Sequence, residues 1–221
     1  MTQVFVVCEG QTEMSFVTEA LASYFEGRQL YLKPRLIGKG GNVTYTRLLA
    51  SLKPLLLAGQ SPYCTTFIDY YGLPAGFPGK RAATKATSLS DKADCIYTAL
   101  HEQLATENQM DEYMLRRFVP YVQMHEFEGL LFSDPKAFAR AIDKPKIADE
   151  LLAIRNRFET PEHINDNPNT APSKQVISIV KEYEKVTMGT SAALEIGPCA
   201  IRQSCPLFSE WLDKLTALSA T

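Results

Sequence analysis

"VFVVCEGQTE", residues 4–13, decides how the chain is read. Gln3 to Cys8 is a short continuous run rich in Val and Phe, the pattern of a strand buried on both faces of a parallel sheet. The run stops at Glu9-Gly10, and a second acid, Glu13, follows four residues after the first. Thr12 is a good N-cap, and Glu13 then lies in the first helical turn, where the dipole favours an acid. Phe16, Val17, Leu21, Tyr24 and Phe25 continue as an apolar stripe at helical spacing, and Gly27 is a fitting stop. The stretch therefore predicts a β-loop-α unit whose loop carries carboxylates.

The same arrangement recurs outward from it. Cys64 to Ile68 is a second β-rich run, ending at Asp69 before a loop rich in Gly and Pro. "FVPYVQM", 118–124, is a third strand candidate, started or edged by Pro120, and it runs into "HEFEGLLFSDP" with Glu126 and Glu128. Gly38, Gly40 and Gly41 predict a turn before a helix over 44–57, interrupted by Pro54. Residues 91–104 read as an amphipathic helix. The C-terminal third reads as helical over 151–158, 176–183 and 207–218, around a long polar loop at 160–174. The fold class expected is α/β: an open, mainly parallel sheet flanked by helices, with a helical C-terminal part. The core is expected over 1–135, with a helical extension over 136–221 packed on it.

Composition sets bounds. A chain of 221 residues with 45% hydrophobic and 22% charged residues is ordinary globular material. A net charge of −2 provides no global basic field, which argues against a coater of DNA but leaves room for a local phosphate site. Five scattered cysteines without a CxxC pair point to free thiols in a reducing compartment, so a cytoplasmic protein is expected. No stretch approaches a membrane span, and no membrane partner is expected.

Three strand candidates thus end in acid: Glu9, then Asp69, then Glu126 and Glu128. Parallel strands deliver their carboxyl ends to one edge of an open sheet, where ligands bind. Carboxylates gathered there repel one another and raise each other's pKa, and a hard divalent cation such as Mg²⁺ relieves this. The plainer alternative is that loops are polar and first turns favour acids, which suits Glu13 well. Four cations are candidates for phosphate contacts: Lys39 in "GKGG", Lys80 and Arg81 in "GKR", and Lys174. Each reads equally well as a solvated surface residue. His125 beside Glu126 and Glu128 is either a transition-metal ligand or a structural histidine.

"VFVVCEGQTE" and "TTFIDYYG" resemble the two motifs of the Toprim fold, in which one strand ends in Glu-Gly and another in Asp-x-Asp. With "HEFEGLLFSDP", "TAPSK" and "GPCAIRQSCPLFSEWL", the whole chain is similar to an uncharacterised bacterial Toprim-like family related to OLD-type nucleases. The resemblance implies a Mg²⁺- or Mn²⁺-dependent phosphodiester hydrolase acting on nucleic acid. Some members are encoded beside ATPases, which implies an ATPase partner in a defence or repair system. Glu9 and Asp69 match the catalytic acids, and Glu13 matches an extra acid of the OLD-type variant. The resemblance also lifts Lys174 as a substrate contact. The metal would be held among Glu9, Glu13, Asp69, Glu126 and Glu128. One departure stands out: the second aspartate of the pair falls at Tyr71, which leaves Glu126 or Glu128 to compensate. A non-catalytic binding module and a small-molecule phosphohydrolase are the two rival readings.

Overall fold

In the computed structural model, which describes residues 2–58, 62–164 and 170–219, β1 (Thr2–Cys8) lies between two parallel neighbours. One is β2 (Leu30–Leu36) and the other β3 (Tyr63–Asp69). Beyond β3 come two short parallel pieces, β4 (Phe118–Val119) and β5 (Val122–Gln123). The order across the sheet is β2-β1-β3-β4, with β5 also on β3. This is the α/β architecture that the apolar runs predict.

Two expectations need correction. The run 118–124 is not one strand, because Pro120 has no N–H to give the ladder. The Thr66 hydroxyl fills the gap: it donates to the Tyr121 carbonyl at 2.7 Å and accepts from the Tyr121 N–H at 2.9 Å. β2 was not expected at all, since Lys33, Pro34 and Arg35 dilute its apolar pattern. It persists as an edge strand, where a proline and charged side chains are tolerated.

Strand parity sorts side chains between two cores. Val4, Val6, Cys8 and Phe67 face one side; Phe5, Val7, Cys64 and Ile68 face the other. The second side is covered by the helices Tyr45–Leu56 and Leu89–Thr106, through Leu48, Leu52, Ile96 and Leu100. The first side is covered by the helix opening at Gln11 and by the C-terminal helices. Its centre is aromatic: Trp211 stacks on Tyr121 at 4.4 Å between ring centroids, and its indole N–H donates to Thr65 Oγ1 at 2.8 Å.

The C-terminal part is helical as expected, over Ala148–Arg155, Pro172–Ile179 and Pro206–Ala217. A further helix, Thr190–Ser204, is kinked where Gly197 adopts φ of 75°. Of the loop expected at 160–174, residues 165–169 lie outside the described residues. Before them Pro161–His163 forms a 3₁₀ turn. Among the described residues no helix is long and apolar enough to cross a membrane.

Candidate functional site

The loop after β1 folds tightly. The helix Gln11–Phe16 is capped at Gly10, not at Thr12, and Glu13 reaches back so that its Oε2 accepts the Gly10 N–H at 2.8 Å. A Cβ at position 10 would come within 3.0 Å of that oxygen, so glycine permits the approach. Glu13 is thereby buried, at 2% exposure.

Because β1 and β3 are adjacent and parallel, their ends meet. The Glu9 N–H donates to the Phe67 carbonyl at 3.0 Å. Glu9 Oε2 accepts the Asp69 N–H at 3.0 Å. Asp69 follows Phe67 in parity, so its side chain turns toward the C-terminal helices and is buried. There it meets Glu128, the first residue of the short helix Glu128–Leu131, which has no exposed surface. The structure thus brings together Glu9, Glu13, Asp69 and Glu128. Glu126 lies at the margin, half-buried, where its Oε2 accepts the Ser173 N–H at 2.9 Å. Neither Glu126 nor Glu128 lies on the third strand.

Lys185 is the residue that the sequence reading missed. It opens the π-helical turn Lys185–Gly189, and its ammonium lies 3.1 Å from Glu128, 3.3 Å from Asp69 and 3.9 Å from Glu13. Its side chain keeps 39% exposure. No local signal marks it, because 116 residues separate it from Asp69.

The acids outnumber this cation. Burial, with Asp69 nearby, pushes the Glu9 and Glu13 carboxyls up to about 7. Burial likewise raises Glu128 to about 7, against the pull of Lys185, and raises Asp69. Burial alone would lower Lys185, but Asp69, Glu128 and Glu13 outweigh it and hold the ammonium well above the usual lysine range. Glu13 Oε1, Asp69 Oδ1 and both Glu128 oxygens are buried with no well-aligned hydrogen bond. Oxygens of this kind suit a hard cation. In the geometry seen, they turn to Lys185, and among the described residues no three His, Cys, Asp or Glu side chains form a metal-holding group.

The candidate phosphate contacts separate. Lys80 is bound inward: it donates to the Tyr70 carbonyl at 2.6 Å and lies over the Tyr70 ring. It staples the loop after β3. Arg81 is exposed in the short helix Lys80–Ala83 that follows. Lys174 is exposed beside Ser173, which touches Glu126. Lys39 is exposed on a turn whose Gly41 N–H donates to the Glu9 carbonyl at 2.8 Å. Tyr71 is 38% exposed. The His125 ring meets the Tyr70 ring edge-on at 6.1 Å.

The fold and this edge define an α/β protein with a buried acid cluster closed by one lysine. Residues 8–216 match the family described as a domain of unknown function (DUF4276), and the chain belongs to that family. No curated protein and no solved structure matches it.

Proposed function

We propose that this edge is the centre of a metal-assisted phosphodiester hydrolase acting on nucleic acid. The observation that carries the reading is the set of buried, unsatisfied carboxylate oxygens of Glu13, Asp69 and Glu128 at the sheet edge. Several acids around one ammonium leave negative charge that a divalent cation would neutralise. Asp69, Glu13 and Glu128 would hold Mg²⁺ or Mn²⁺, with Glu9 and Glu126 beside it. The partly exposed Lys185 would yield its place by turning toward solvent. A bound ion would supply Lewis-acid polarisation of a phosphoryl oxygen.

The chain's own residues have separate tasks. Glu9, half-buried and with a carboxyl at about 7, suits proton transfer to or from water near neutral pH. Its orientation is fixed by the Asp69 N–H. Lys185, freed from the acids, would balance charge on the phosphate. We read the acids closing β1 and β3 as Toprim-like, and an ATPase partner belongs to the same reading. Tyr71 favours the rival reading of a binding module, since a phenol at that position is no substitute for a carboxylate.

The test is cleavage of single- and double-stranded DNA and RNA with Mn²⁺ by wild type and Glu9→Gln. Loss of cleavage in the variant alone supports the proposal. Equal cleavage by both places the chemistry elsewhere. No cleavage by either, with the ATPase added, supports the module.

A further inference from the structure

The distribution of charge is uneven. Residues 27–68 contain six Lys and Arg and no Asp or Glu, while the rest of the chain sets 17 cations against 25 acids. The fold turns this into a surface. β2 is an edge strand, and its Tyr31, Lys33 and Arg35 alternate onto one face. That face is the Phe5 side of the sheet: Arg35 lies 4.5 Å and Lys33 5.7 Å from the Phe5 ring centroid. Lys33 is also 5.7 Å from the Tyr31 ring, which is 52% exposed. The three side chains line a shallow groove with Phe5. Among the described residues, none of Lys33, Arg35 and Lys39 is ion-paired.

The row runs toward the Glu9 end of the acid edge, on the sheet face opposite to the one that buries Asp69. Arg35 pairs in register with Val7, two residues before Glu9. The turn that follows carries Lys39 and is held by Arg47, whose guanidinium donates to the carbonyls of Ile37, Gly40, Gly41 and Asn42. That turn in turn bonds the Glu9 backbone.

We propose that this edge of β2 is a track for single-stranded nucleic acid running toward the Glu9 end of the acid site. The inference rests on the hydrolase reading and names its substrate class. Alternate residues of a strand are about 6.6 Å apart, so Lys33 and Arg35 form a row one backbone wide. Tyr31 offers a ring for an unpaired base, the pairing of cationic groove and aromatic platform by which single strands are held. A duplex would present no free base face to it. Lysine and proline on an edge also block strand-to-strand aggregation, but that role does not call for an exposed tyrosine among them.

The test measures binding without cleavage, by fluorescence anisotropy of the full chain in EDTA with a labelled oligothymidylate of roughly 20 nucleotides, enough to span an ordinary single-strand site. Lys33→Ala/Arg35→Ala should weaken binding at least tenfold. Its log–log salt slope should be shallower by about 1.4, or about 0.7 for each lost phosphate contact. Tyr31→Ala should weaken binding roughly tenfold with the slope unchanged. Lys136→Ala/Lys146→Ala, exposed on the C-terminal helices, should bind as wild type. If the double variant melts early, Arg35→Gln replaces it, since Arg35 is exposed. The proposal is overturned if wild type does not bind, if the strip variants bind as wild type, if they merely self-associate, or if a duplex of the same length binds as tightly. Cleavage by Mn²⁺-loaded wild type is measured alongside. Binding through the strip without cleavage sinks the hydrolase and keeps the track. Cleavage indifferent to the strip does the reverse.

Discussion

Glu162 and Glu128 are both buried glutamates whose carboxyls rise to about 7 because of that burial, yet their surroundings differ. Glu162 has a donor for each oxygen: Leu207 N–H at 3.0 Å and Phe208 N–H at 2.9 Å. These are free N–H groups in the first turn of the helix Pro206–Ala217, so the carboxylate caps that helix from outside and ties it to the turn Pro161–His163. Glu128 has no such partners and faces Lys185 together with Asp69 and Glu13. A buried acid satisfied by backbone is architecture. Buried acids left short of donors around one partly exposed cation mark a candidate site, because their cost is recovered when something else binds.

The largest expected effect separates the two regions by chemistry. On the proposed hydrolase reading, Asp69→Asn should lower turnover by about 10²–10⁴-fold, the usual range for a lost acid–base or charge contribution, while Glu162→Gln leaves turnover of the folded protein near wild type. Comparable losses in both would erase the distinction. Stability should show the opposite order. Glu162→Ala strands two buried N–H groups and should cost about 2–3 kcal/mol in urea unfolding, against less than about 1 kcal/mol for Asp69→Asn.

Lys185→Met sharpens the comparison further. Removing one partner of a fully buried ion pair costs about 3–5 kcal/mol, and the exposure of Lys185 reduces this to about 1–2 kcal/mol near pH 8. Saturating Mn²⁺ should restore most of that loss, and the variant should bind Mn²⁺ more tightly than wild type. Unchanged metal affinity would mean that the ammonium and the ion do not compete.

The least local expected effect is in pH. Glu9, Glu13, Glu128 and Glu162 rise from about 4.5 to about 7 on folding. Between those values the native state holds protons that the unfolded chain has released. Stability is therefore fully present below about 4.5, falls as pH climbs through about 7, and levels off above. The raised Lys185 adds nothing in this window, since it is charged in both states. Without metal, the melting temperature should fall between about pH 5 and 7.5. Mn²⁺ should flatten the part of the slope that belongs to the acid edge and leave the part that belongs to Glu162. A rising slope would contradict the burial of these acids.

Much of this was legible in the sequence, for physical reasons. β1 and β3 are buried on both faces, so they appear as unbroken apolar runs, and their parallel adjacency makes Glu9 and Asp69 neighbours. β2 was hidden because one face of it is exposed and charged, and the kinked helix Thr190–Ser204 because Gly197-Pro198 reads as a break. Glu126 and Glu128 could not be ranked until the short helix after β5 buried one and left the other at the margin. Lys185 was invisible, since a lysine between two helices carries no sign of the acids it will meet. Cations gathered by tertiary structure are read from space, while acids placed by strand ends are read from the chain.

The central claim is that the acids around Lys185 take up a divalent cation. Anomalous diffraction from crystals grown with Mn²⁺ tests it most directly. The result expected is a peak within about 2.5 Å of carboxylate oxygens of Asp69 and of Glu13 or Glu128, with the Lys185 ammonium turned away. Lys185 still seated among the acids at millimolar Mn²⁺, with no peak at that edge, would contradict it.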